Sequence, residues 1–144
     1  FYNGDATAAQ PATCHTLDSQ GVTLKNLYTF LPSTDLEAVN RRLINGGHYW
    51  DRSVPPSAVA RPDLDSCHTV CVAAKHCCDG VYFGGVREDQ FLAFLPWAGF
   101  PDDLVATIHA RAGHLGHLRF DVGFDYHVRS GRVEVLKAGF YGWF

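Results

Sequence analysis

His117–Val135 reads HLRFDVGFDYHVRSGRVEV, and this stretch decides the fold. Leu118, Phe120, Val122, Phe124, Tyr126 and Val128 take every even position. His117, Arg119, Asp121, Gly123, Asp125, His127 and Arg129 take every odd one. Successive side chains of a strand point to opposite faces, so alternation this long predicts a strand with one face buried. Ser130-Gly131 follows as a two-residue hairpin loop, where Gly accepts the backbone angles required. Val133 and Val135 then return along the same buried face. The expected register sets Val128 opposite Val133, Tyr126 opposite Val135, His127 opposite Glu134 and Arg129 opposite Arg132.

Upstream the period changes. Pro101, Asp102 and Asp103 open a helix, its acidic residues favourable at the positive N-terminal end. Leu104, Val105 and Ile108 are expected to face the core, and Gly113 to end the helix. Phe91, Leu92, Phe94 and Leu95 form a short apolar element that Pro96 stops. The clearest helix is expected over about 35–45. Thr34 with Glu37 forms its capping box, Leu36, Val39 and Leu43 share one face, and Gly46 suits a left-handed position after the end. The spacing of Leu24, Leu27 and Leu31 predicts a further helical turn or two before Pro32.

The remaining segments are less regular. Residues 46–63 read as a loop with an aromatic knot at His48, Tyr49 and Trp50. Over 66–78, Cys67, Val70, Cys71, Ala74 and Cys78 fit one helical stripe, with Asp65 or Ser66 as N-cap. The alternative is a hairpin turning at Asp79-Gly80, between strands at 70–78 and 81–86. Residues 1–20 read as a surface arm. Together these elements predict one α+β domain over 1–144: about three helices packed on an antiparallel sheet with a long C-terminal β-hairpin, disulfide-stabilised.

The disulfide expectation comes from composition. Five Cys are present (Cys14, Cys67, Cys71, Cys77 and Cys78) and Met is absent. A chain without Met reads as a processed product, most simply a secreted, extracellular protein whose signal peptide has been removed. Clustered Cys in that setting read as disulfides. Cys14 is then the natural partner of the 67–78 cluster and ties down the arm, a closure that contributes about 4 kcal/mol. The odd Cys suits a disulfide-linked dimer. The same segment admits buried free thiols or zinc, but the spacing C-x3-C-x5-C-C lacks the two separated ligand pairs of a structural zinc site. His109, His114 and His117 follow H-x4-H-x2-H without a metalloprotease-type helix motif, so they read as surface histidines. No metal or cofactor is expected.

A net charge of −3 gives no global basic field for nucleic acid. Charging all eight His in acidic fluid would carry the formal charge to +5. There is no P-loop, G-x-G-x-x-G or G-x-S-x-G, and the Cys lack a papain-like surround. The hairpin register does place His127 and Glu134 together on the outward face, with Arg119 and His117 further along it. An imidazole, a carboxylate and guanidinium groups on one sheet suit phosphodiester chemistry. In residue kinds, though not in sequence motif, this resembles the small secreted ribonucleases of the fungal guanyl-specific type. The plainer expectation is a solvated face with a cross-strand ion pair. The leading functional expectation is a small secreted disulfide-containing binding protein of the toxin or effector kind, acting on a molecule of another organism: an extracellular protein, a glycan or a membrane. The alternative is a secreted ribonuclease-like hydrolase acting on RNA.

Overall fold

The computed structural model describes residues 9–46 and 51–144. Six strands pair in chain order into one antiparallel sheet: β1 (Gln10–Asp18), β2 (Gly21–Pro32), β3 (Thr69–Lys75), β4 (Asp79–Val86), β5 (Arg119–Arg129) and β6 (Arg132–Trp143). Four short helices fill two of the connections. α1 (Leu36–Ile44) and α2 (Ser57–Ala60) lie between β2 and β3, and α3 (Glu88–Trp97) and α4 (Asp102–His109) between β4 and β5. Leu31, Val70, Val72, Val81, Phe83 and the even residues of β5 are buried with Val39, Leu43, Val59, Phe91, Phe94 and Leu95 of the helices. Both helical crossings thus cover the same side of the sheet. The rings of Phe91 and Phe120 stack across that layer at 3.9 Å.

The C-terminal hairpin has the expected register, from Tyr126–Val135 through His127–Glu134 to Arg129–Arg132. Ser130 and Gly131 both have positive φ, 51° and 75°, the pair of angles a tight two-residue hairpin needs.

Elsewhere the expected fold of about three helices on a sheet is corrected: among the described residues six strands carry the fold, with four short helices in their connections. The segment expected to be helical before Pro32 is β2. A bulge explains the error: Cys14 pairs with Asn26 and His15 with Leu24, which leaves Lys25 over on β2. One extra residue puts Leu24 and Leu27 on the same face of a strand, the spacing that otherwise marks a helix. Much of the expected arm is β1, while residues 1–8 and the knot at His48, Tyr49 and Trp50 lie outside the described residues.

The segment 66–78 is not a helix: it holds β3 and the turn that leads into β4. Its turn lies at His76, Cys77 and Cys78, ahead of Asp79-Gly80, which begin β4. Thr69, Val70, Cys71, Val72 and Ala73 are all buried, because β3 is central, with helices over one face and the side chains of neighbouring strands crowding the bottom of the concavity on the other; such a strand shows no alternation. α1 is capped by Asp35, not Thr34: the Asp35 carboxylate accepts the Ala38 N–H at 3.0 Å. Pro96 sits inside the last turn of α3 instead of stopping it. Gly99, at φ 77°, ends the helix, with Gly99 N–H bonded to Pro96 O and Phe100 N–H to Leu95 O. In α4, Val105 and Ile108 pack on the core, but Leu104 is exposed.

The disulfide-stabilised fold is also corrected. All five cysteines are free thiols. Cys14 pairs across β2 with Asn26, and Asn26 with Lys75. Two strand spacings, about 9.5 Å, therefore separate β1 from β3. A disulfide needs Cα atoms within about 7 Å. Cys67 packs into the core, whereas Cys71 lines the other face of the sheet.

Candidate functional site: the open face of the sheet

The face of the sheet away from the helices forms a concavity of about 680 Å³. Its composition follows from register. Phe30, Cys71, Tyr82, Gly123 and Gly139 lie side by side across five strands, and Tyr28, Ala73, Gly80, Asp125 and Lys137 form the next row. Of these, Cys71, Gly123 and Gly139 line the floor, while Gly80 lies beneath Lys75, Tyr82 and Asp125. Aromatic side chains rise at the sides, from Tyr28 and Phe30 on β2 to Tyr141 and Trp143 on β6.

The glycines hold the larger groups down. The ring of Tyr82 lies on Gly123, where a Cβ would come within 2.2 Å of Cδ1. The His68 ring lies on Gly85 in the same way, and meets Trp143 edge-on at 6.5 Å. Gly139 faces open space, with nothing within 4 Å of a Cβ.

Two polar clusters are fixed within this frame. At one end Lys75 Nζ donates to Asp125 Oδ1 at 2.6 Å and to Tyr82 Oη at 2.7 Å, and the Tyr82 hydroxyl donates to the same carboxylate oxygen at 3.0 Å. At the other end Asp121 Oδ1 accepts the Gly85 N–H at 3.1 Å and the Trp143 indole N–H at 3.0 Å. Between them lie the Cys71 thiol and Thr69, whose buried hydroxyl has no hydrogen-bond partner among the described residues.

Burial sets the proton affinities here. It pushes the Cys71 thiol up to about 12 and the Tyr82 phenol up to about 12. For Lys75 burial acts to lower the value, but the hydrogen bonds to Asp125 and Tyr82 outweigh it and hold the ammonium above its ordinary range. At neutral pH the site therefore holds a neutral thiol, a neutral phenol and a charged ammonium locked to a carboxylate.

The residues named for phosphodiester chemistry are not gathered in this site. His127 stands opposite Glu134, as expected. Its Nε2 lies 2.8 Å from the Cys77 carbonyl oxygen, which can only accept, so Nε2 carries a proton and donates. Arg119 is exposed and pairs with Trp143, and the His117 ring lies 5.5 Å from that of Phe144. Eight residues of extended strand, about 26 Å, separate Arg119 from His127. Among the described residues no three His, Cys, Asp or Glu gather in metal-binding geometry.

The face expected to be plainly solvated thus carries the concavity, and the sequence reading missed Gly80, Gly84, Gly123 and Gly139. The available signal was glycine on the polar side of alternating strands, where another group can approach the backbone closely, as Tyr82 does at Gly123, or where space is left open, as at Gly139. No protein-family model, no curated protein and no solved structure matches the chain.

Proposed function

We propose that this chain is a binding protein that takes a small organic molecule on the open face of its sheet. The observation that carries this reading is the concavity itself. At about 680 Å³ it has the volume of a site for a drug-sized ligand, with aromatic sides and a few fixed polar groups. Binding is favoured over catalysis by the protonation states: Tyr82 and Cys71 keep their protons at neutral pH, and Lys75 keeps its charge. A group held so far from neutrality is a poor proton-transfer catalyst but a constant feature for recognition.

The test is a fragment screen by protein NMR on the wild-type chain and on Gly139→Val, whose new side chain would enter the open space above β6. Fragments should shift resonances of Phe30, Cys71, Tyr82 and Trp143 and lose affinity on Gly139→Val. Fragments that bind elsewhere, indifferent to this substitution, would overturn the reading.

A further inference from the structure

Resting on that reading, we infer that the ligand is an elongated zwitterion, with an ammonium group at one end, an anionic group at the other and an apolar body between. Register places the charges that would meet it. On the open face Asp121 stands opposite Tyr141, Gly123 opposite Gly139 and Asp125 opposite Lys137. Asp121 and Lys137 therefore lie four residues apart along the paired strands, about 13 Å, with one row between them. That row runs Phe30, Cys71, Tyr82, Gly123 and Gly139 and carries no charge.

Both charges are uncommitted. The Asp121 carboxylate is held by neutral donors alone, the Gly85 N–H and the Trp143 indole N–H, both on Oδ1. Its Oδ2 has no partner among the described residues. Arg119, two residues away on the same strand, forms no ion pair among the described residues and does not line the concavity. Lys137 lines the concavity and has neither ion pair nor hydrogen bond among the described residues. The Asp125 opposite it is engaged by Lys75 at 2.6 Å.

The two Lys and two Asp of the lining cancel in sum but not in place. The Lys75–Asp125 pair is closed on itself, which leaves Asp121 negative at one end and Lys137 positive at the other. A neutral guest would gain from neither charge and a singly charged guest from one; a guest of both signs gains from both. The surroundings agree. An ammonium that reaches Asp121 also meets the rings of Tyr141 and Trp143, which attract cations. Lys137 is a compact charge on a flexible stem, which takes an anion without demanding one geometry.

Calorimetry on the full chain at about pH 7 tests this with rigid biphenyl probes. One carries an aminomethyl group at one end and a carboxylate at the other, and its two parents carry one of these groups each. The zwitterion should bind at least about fivefold more tightly than either parent. Asp121→Asn keeps an oxygen for the Gly85 and Trp143 donors and removes the charge. It should weaken the zwitterion by about fivefold and leave the carboxylate parent unchanged. Lys137→Met should weaken the zwitterion to the same degree and leave the aminomethyl parent unchanged. Gly139→Val, in the row between the charges, should weaken all three probes. If either parent binds as tightly as the zwitterion, or either charge variant leaves the zwitterion unaffected, this inference fails while the binding site stands. If no probe binds, or Gly139→Val changes nothing, the site falls with it.

Discussion

Two glycines on the open face make opposite predictions because their surroundings differ. At Gly123 a Cβ would meet Tyr82 Cδ1 at 2.2 Å and the Val81 carbonyl oxygen at 2.7 Å. The ring can swing away, but the backbone oxygen cannot. Gly123→Ala should therefore cost about 1–3 kcal/mol and unseat Tyr82 from Asp125. Gly139 has no neighbour in reach, and a β-branched residue suits a strand. Gly139→Val should leave the urea midpoint unchanged or raise it, and a fall would mean that the space above β6 is occupied. The cap of α1 gives a second contrast. Asp35→Ala removes the acceptor of the Ala38 N–H and should cost about 1 kcal/mol, whereas Thr34→Ala, at an exposed residue outside the cap, should be near neutral. Equal losses from both would restore Thr34 as a cap.

Among the elements, the β1–β2 hairpin stands apart. Pairing of β2 with β3 begins at Asn26, so the hairpin beyond Cys14 and Asn26 has no third strand. Leu17, Val22 and Leu24 are exposed there. A two-stranded ribbon alone is marginally stable, so amide hydrogens of residues 15–24 should exchange much faster than those of β4 and β5. Equal protection across the sheet would show that something covers the ribbon. The elements also show what the sequence makes legible. The hairpin β5–β6 could be read because β5 is buried on one face alone and its period-two pattern is complete. β2 could not, because a bulge at Lys25 gives a strand a helical spacing. β3 could not either, because burial on both faces erases alternation. The candidate site was hidden for a related reason: its floor is built from residues of β3 to β6 that only register brings together, and each glycine alone reads as a local break.

At the scale of the whole molecule, the free thiols tie stability to alkaline pH. Burial pushes Cys67 up to about 11 and Cys71 up to about 12, from an ordinary value of 9.0. It pushes Tyr82 up to about 12 from 10.0. Between the unfolded and folded values the unfolded chain has lost protons that the native chain keeps. Unfolding then releases protons, so a rise in pH favours it. The stability held by these groups is complete below about pH 9 and lost as pH climbs toward about 12. Each group contributes a slope of up to about 1.4 kcal/mol per pH unit within its window. Urea unfolding at about pH 8 and at about pH 10.5 should therefore show a clear loss of midpoint at the higher pH. Cys71→Ala removes one of the titrating groups and should make that loss shallower. Alkylation of the native protein provides an independent check, since exposed Cys14 and Cys77 should react first, and buried Cys67 and Cys71 only on unfolding. Bridged cysteines would not titrate at all. A midpoint that ignores both pH and Cys71→Ala, with fewer than five alkylated thiols after denaturation, would return the cysteines to disulfides and remove the thiol from the floor of the site.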